Sequence, residues 1–423
     1  MRYFVESYGC TMNYGEGAEL AERMDALGHE RAASAAEADV VVLNTCTVVD
    51  TTERRMIRRM NELKAAGKGV VVAGCMAKAQ PSRIAVRLPD SLVIPPESYP
   101  DFSRLVSSCY GRGAPLGAGR GALTGIIPVA QGCRGACSYC ITKLARGDLV
   151  SRPPGAVKER FDRMVGDGAR EILIAAQDTG CYGRDIGTDL GELVRSLLER
   201  GGEYRVRIGM MNPNSLIPVL DSVLDVFEDE RMYRFLHIPV QSGSDAVLER
   251  MGRQYTAGDF LSLVARVRGR YPDMSIATDL IAGFPGETDE DHAHSVALIR
   301  ALRADTVNIT RFSARPGTAA FGMEQINGRI SKARSTELTA AKNETEKSVN
   351  DGMVGRECRA LVTESSADGS VIARTGNYRP IVIKGAVQLG TFIDARIADA
   401  RPTYLLGEIL RARSAWARAP AAR

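Results

Sequence analysis

A chain of 423 residues has room for about two or three domains, and 44% hydrophobic with 25% charged residues excludes a disordered or fibrous polymer. No apolar run reaches the roughly 20 residues a bilayer span needs, and residues 1–10 lack the basic start and apolar stretch of a secretory leader, so a cytoplasmic protein is expected. A net charge of +4 permits contact with a polyanion without requiring one.

In chain order, residues 2–8 read as a strand, 16–27 as a helix, 39–44 as an apolar strand, 51–66 as a helix and 69–73 as a third strand. This alternation predicts a Rossmann-like parallel α/β sheet. Cys10, Cys46 and Cys75 each follow one of its strands, at the end where open parallel sheets carry their crevices. Residues 111–121, rich in Gly and containing Pro115, read as a linker. Six strand-like runs then recur at 126–130, 171–176, 205–211, 235–240, 275–282 and 306–312, each followed by a helical pattern. They predict an open (β/α)6 partial barrel. Gln131, Gln177, Asp178, Asn212, Gln241 and Ser242 collect at the strand ends, where barrels carry their chemistry, and Thr288 with Asp291 reads as a capping box. After a polar helix at 332–349, short strands at 357–363, 371–374, 381–384, 392–397 and 404–409 predict a small β-barrel. Residues 411–423 read as a frayed tail. The expected boundaries are 1–115 for the first domain, 122–348 for the partial barrel, 350–411 for the β-barrel and 412–423 for the tail.

Nine cysteines, an odd number, point to free thiols or metal ligands in a reducing compartment. Cys133, Cys137 and Cys140 lie on one short loop after the first barrel strand. Three thiolates can hold three irons of a [4Fe-4S] cluster and leave the fourth open to the amino and carboxylate groups of S-adenosylmethionine. Zinc is the alternative, but it wants a fourth Cys or His nearby. Of His29, His237, His292 and His294, only His237 lies at a strand end. Tyr139 would stand beside such a cofactor or pack in a core. The Gly-rich run 281–287, with Gly283, is a binding loop or an ordinary turn. Gln177 and Gln241 would hydrogen-bond a cofactor or each other. Cys10, Cys46 and Cys75 are too scattered for a zinc ribbon or a redox pair. They read as a second cluster with an open iron, against the alternative of separately packed thiols.

Residues 8–13 (YGCTMN), 44–47 (NTCT), 74–76 (GCM), 133–140 (CRGACSYC), 237–242 (HIPVQS) and 283–288 (GFPGET) together resemble, in this order, the methylthiotransferase family of radical S-adenosylmethionine enzymes. The resemblance implies an auxiliary [4Fe-4S] cluster on Cys10, Cys46 and Cys75, and a radical S-adenosylmethionine cluster on Cys133, Cys137 and Cys140. It also implies a C-terminal TRAM domain that grips RNA. Residues 140–147 (CITKLARG), 236–241 (LHIPVQ), 276–279 (IATD) and 315–318 (RPGT) are similar to the archaeal and eukaryotic branch. That branch acts on N6-threonylcarbamoyladenosine beside the tRNA anticodon. The implied chemistry is methyl transfer to sulfur at the auxiliary cluster, followed by radical substitution at carbon 2 of adenine. No general base is nominated, and a flavodoxin- or ferredoxin-type donor would supply electrons. Tyr139, Gln177, Gln241 and Gly283 are the candidate S-adenosylmethionine contacts.

Sequence-specific RNA binding usually combines phosphate contacts with readout of single-stranded bases. Arg374, Tyr378 and Arg379, with Asn377, form a basic and aromatic turn suited to that task, or a plain solvated turn. Arg54, Arg55, Arg58 and Arg59 read as an exposed helix face, and Cys109, Cys181 and Cys358 as incidental thiols. Two rival functions are methylthiolation of a ribosomal-protein aspartate and non-catalytic RNA binding around structural zinc.

Overall fold

The computed structural model describes residues 1–113 and 122–412. Most of the predicted linker and all of the predicted tail except Arg411 and Ala412, which finish the last strand, lie outside those residues.

The first sheet is wholly parallel, in the order Glu30–Arg31, Arg2–Ser7, Val40–Thr45, Gly69–Gly74, Leu92–Ile94. Its central strands are apolar on both faces, as a covered parallel sheet requires. Val41, Leu43, Val70 and Val72 pack with Met56, Met60 and Leu63 of the helix Asp50–Ala65. Val40, Val42 and Val71 face Leu20 and Met24 of the helix Thr11–Ala26. Ser7 pairs with Asn44 and Thr45 with Gly74, so the three central strands end level. Cys10, Cys46 and Cys75 therefore leave the sheet from one edge.

Six parallel strands form the central domain: Thr124–Pro128, Glu171–Ala175, Arg205–Ile208, Phe235–His237, Ser275–Ala282 and Thr306–Arg311. They make two three-stranded sheets joined by a bridge between Val206 and Met232 and by the Met211 N–H on His237 O, a barrel left open between first and last strands. The fourth strand stops earlier than expected, ahead of Pro239, which has no N–H for the ladder. Side chains alternate along each strand. Ile172, Ile174, Val206, Ile208, Leu236, Ile276, Leu280 and Val307 join the core beneath the outer helices, leaving Arg207, His237, Asp279 and Asn308 on the opposite, inner face. The capping box at Thr288 and Asp291 is formed.

The helix Thr11–Ala26 belongs to the first sheet yet lies against the first barrel strand. A Cβ on Gly15 would stand 2.7 Å from Ile126 Cγ2. Glu16, Glu19 and Glu22, spaced along one face of this helix, pair with Arg146, Arg152 and Arg160 of the barrel domain.

The long helix Gly328–Asp351 covers the last barrel strand, where Glu346, 1% exposed, accepts the Val307 N–H at 2.6 Å. Burial pushes its carboxyl up from 4.5 to about 7, against that hydrogen bond. The folded state thus keeps this proton after the unfolded chain has released it, so the stabilisation holds at low pH and is lost as pH rises from 4.5 to about 7. Glu346→Gln keeps the acceptor oxygen and removes the titration. Relative to this variant, the native protein should lose up to about 3 kcal/mol between pH 5 and pH 8, read from urea midpoints. Parallel pH profiles in the two proteins would refute it.

The last domain is a closed five-stranded barrel of Glu357–Ser365, Val371–Thr375, Pro380–Ile383, Phe392–Ala400 and Leu405–Ala412 around an aliphatic core. It seals the end of the central barrel at which the strands begin. Arg379 pairs with Asp305, Arg359 bonds Glu203 at 2.5 Å, and the Arg234 N–H donates to Gly376 O at 2.9 Å. Tyr378, in a left-handed conformation (φ 66°), packs its ring 4.8 Å from Tyr233 and 5.1 Å from Phe235. Arg374 bonds Glu364 and stacks on Tyr378. Of the three residues expected on an RNA-facing turn, Tyr378 and Arg379 thus contact the central barrel, while Arg374 is held within the last domain by Glu364 and Tyr378.

Candidate active site

Both cysteine trios open into one cavity of about 610 Å³ where the first sheet and the central barrel present their strand ends to each other. On the first wall, two glycines let the thiols converge. Gly9 (φ 109°) lies so close that a Cβ would stand 2.8 Å from Cys46 Sγ, and at Gly74 (φ 86°) a Cβ would stand 2.3 Å from Thr45 O. Both positions combine left-handed backbone with direct contact, which only glycine tolerates. Cys46 and Cys75 are buried and Cys10 is exposed. Burial pushes the Cys75 thiol up to about 12, with Arg146 acting against it. A metal that binds such thiols must therefore displace their protons.

On the second wall, Cys133, Cys137 and Cys140 lie on a loop tied at several points. Gly135 N–H donates to Cys133 Sγ at 3.2 Å, Lys143 Nζ to Cys133 O at 2.5 Å, and Ser138 Oγ to Arg250 O at 2.9 Å. Burial pushes Cys133 up to about 11.

Among the described residues no three His, Cys, Asp or Glu side chains gather about a single metal-ion position. Cysteine thiolates are the soft ligands that iron–sulfur clusters take, and each wall of the cavity supplies three cysteines.

The two walls are joined by Arg146, which sequence reading missed. Six residues past Cys140, its side chain is 0% exposed and crosses to the first domain. Its Nε donates to Cys75 Sγ at 3.2 Å, and its Nη2 to Glu16 Oε2 at 2.7 Å and Asn13 Oδ1 at 2.8 Å.

The candidate cofactor contacts divide. Tyr139 lines the cavity, packs edge-on to Phe284 at 6.0 Å and accepts a hydrogen bond from Arg253. Gln177 also lines it, but its Oε1 accepts the Gly132 N–H at 2.7 Å, which fixes the entry to the cysteine loop. Gln241 lines it in a left-handed conformation (φ 75°), its N–H on Asp279 O. Gly283 does not belong with them. A Cβ there would stand 2.2 Å from Ser331 Oγ, so this glycine serves the packing of its turn on the long helix. His237 bonds Asp279 at 2.9 Å on the inner wall. Burial tends to raise the Asp279 carboxyl, but the His237 and Asn308 hydrogen bonds outweigh it and hold it low. Of the remaining cysteines, Cys181 is buried with its thiol on Asp178 O, and Cys109 is exposed. Cys358 lies in the first strand of the C-terminal barrel.

Residues 2–94 match the family described as "Uncharacterized protein family UPF0004", residues 127–299 the radical SAM superfamily, and residues 352–410 the TRAM domain. A Pyrococcus horikoshii protein named "Probable threonylcarbamoyladenosine tRNA methylthiotransferase" is 38% identical, over 97% of this chain and 100% of its own length. The threonylcarbamoyladenosine tRNA methylthiotransferase of Danio rerio is 34% identical, over 99% of this chain and 81% of its own, and that of Homo sapiens 33%, over 96% and 74%. Among solved structures, the radical S-adenosylmethionine methyltransferase TsrM from Kitasatospora setae superposes with a TM-score of 0.54 at 14% identity, over 75% of this chain and 76% of that one. The cobalamin-dependent enzyme OxsB gives 0.52 at 12% identity, over 82% and 56%. At such identities the likeness concerns the fold.

Proposed function

This chain belongs to the threonylcarbamoyladenosine tRNA methylthiotransferases, and from that premise we propose that Cys10, Cys46 and Cys75 hold its auxiliary [4Fe-4S] cluster while Cys133, Cys137 and Cys140 hold the cluster that binds S-adenosylmethionine. The activity is insertion of a methylthio group at carbon 2 of N6-threonylcarbamoyladenosine, beside the anticodon. When bound, the clusters and S-adenosylmethionine supply the electron, the radical and the methylated sulfur for a C–H bond that acid–base chemistry cannot activate. A flavodoxin- or ferredoxin-type partner delivers the electrons.

The chain's own part is placement. Gly9 and Gly74 bring three thiols to one wall, and the tied loop around Gly135 holds the other three. Arg146 fixes the two walls relative to each other by bonding Cys75 from the helix that follows Cys140. Tyr139, anchored by Arg253 and Phe284, gives the cavity a flat apolar flank for an adenine. The helix Thr11–Ala26 covers the first barrel strand, and the C-terminal barrel covers the strand starts, which leaves the strand ends as the face on which the cavity opens. The observation that carries this reading is the opening of both trios into one cavity.

Nucleoside mass spectrometry of tRNA from cells lacking this protein tests it. The methylthio form of threonylcarbamoyladenosine should vanish and the unmethylthiolated nucleoside accumulate. An unchanged methylthio signal would overturn the substrate, and a missing methylthio group on a ribosomal-protein aspartate would replace it.

A further inference from the structure

The cavity continues past the cysteines along the inner face of the central barrel, where it reaches Arg207. Its other cations are engaged. Lys143 is held by Asp148, and Arg253 by Asn212 and Tyr139. Arg207 differs: among the described residues it forms no ion pair, and its side-chain hydrogen bond, from Nη1 to Tyr378 Oη at 3.1 Å, leaves Nη2 without one.

Two neighbouring rings lie against this guanidinium. Its Cζ lies 5.3 Å from the Phe235 ring centre and 4.8 Å from that of Tyr378. Such ring contacts hold a guanidinium in place, and its remaining Nη2 can donate a charge-assisted hydrogen bond to a carboxylate. A half-buried cation with no ion pair and an unused donor, in the wall of a reaction chamber, calls for an anion from the ligand.

The nucleoside assigned above carries one. Its N6 substituent is a carbamoyl-linked threonine with a free carboxylate, and N6 leaves the ring on the edge that also bears carbon 2. A base presented to the cysteines by carbon 2 must therefore bring this carboxylate into the same chamber, and an ionised carboxylate enters a desolvated site only with a partner. We infer that Arg207 receives the threonine carboxylate of the substrate and is the residue that separates threonylcarbamoyladenosine from unmodified adenosine. The inference rests on the substrate reading given above. S-adenosylmethionine also has a carboxylate, but the cation beside Cys137 and Tyr139 is Arg253. Arg207 sits instead over the Tyr378 seal.

The test compares native protein, Arg207→Gln and Arg207→Lys in equilibrium binding to three versions of one tRNA, without S-adenosylmethionine: threonylcarbamoylated, the same with its carboxylate methyl-esterified, and unmodified. S-adenosylmethionine binding is measured separately without tRNA. The native protein should favour the free carboxylate by roughly ten- to a hundredfold, the range for a hydrogen-bonded charge. Arg207→Gln should erase that preference while binding unmodified tRNA as before, and Arg207→Lys should restore part of it. S-adenosylmethionine affinity should not change. A preference retained in Arg207→Gln, or a loss confined to S-adenosylmethionine, overturns the inference alone. So does native protein that favours the modified tRNA but binds the ester equally well, an arm that needs no variant. Native protein indifferent to the modification overturns the substrate reading and this inference with it.

Discussion

Cys133→Ala should abolish reductive cleavage of S-adenosylmethionine, lowering it by about ten thousandfold or more, the scale for losing one member of a catalytic unit that acts together. Cys133 sits on a half-buried loop outside the apolar cores, so the substitution leaves packing almost untouched. The protein should therefore melt as the native chain does while binding roughly half the iron, because one of two [4Fe-4S] clusters is lost. Cys75→Ala should also halve the iron yet leave S-adenosylmethionine cleavage in place, with methylthiolation gone. Iron and sulfide analysis with a 5'-deoxyadenosine assay separates the two variants. Equal loss of cleavage in both, or full iron in either, would end the assignment of separate trios.

The largest effect on stability is expected at Arg146. Its ion pair with Glu16 is buried on both sides, with side chains 0% and 2% exposed, and joins domains 130 residues apart in sequence. Arg146→Met strands the Glu16 carboxylate and the Asn13 carbonyl without donors, and removes the N–H on Cys75. Breaking one side of a buried pair costs about 3–5 kcal/mol. The loss should appear as a lower urea midpoint and as faster hydrogen exchange in the helix Thr11–Ala26. Arg146→Met combined with Glu16→Leu should recover most of it, since no charge is then left buried. A single variant within about 1 kcal/mol of native stability would refute the role of this contact.

The sequence was most informative where function rests on residue type and local spacing. The strand alternation placed Cys10, Cys46 and Cys75 at level strand ends, and the tight triplet at 133–140 needed no partner elsewhere to be recognised. It was least informative where a polar side chain has two possible fates. Arg374, Tyr378 and Arg379 have the composition of a nucleic-acid contact, yet Asp305, Tyr233 and Phe235 engage Arg379 and Tyr378, and Glu364 holds Arg374. Gly283 has the look of a cofactor loop and proves to be the floor on which Ser331 packs.

The amino-acid sequence by itself thus determined the three-part order and the family, because hydrophobic periodicity and motif spacing are local properties of the chain. Only the tertiary structure decided that Arg146 bonds Cys75, that Tyr378 closes the barrel and that Arg207 bonds Tyr378 without an ion pair. Whether a charge is solvated, paired or left open depends on what lies opposite it in space, and here those partners are 71, 130 and 171 residues away along the chain.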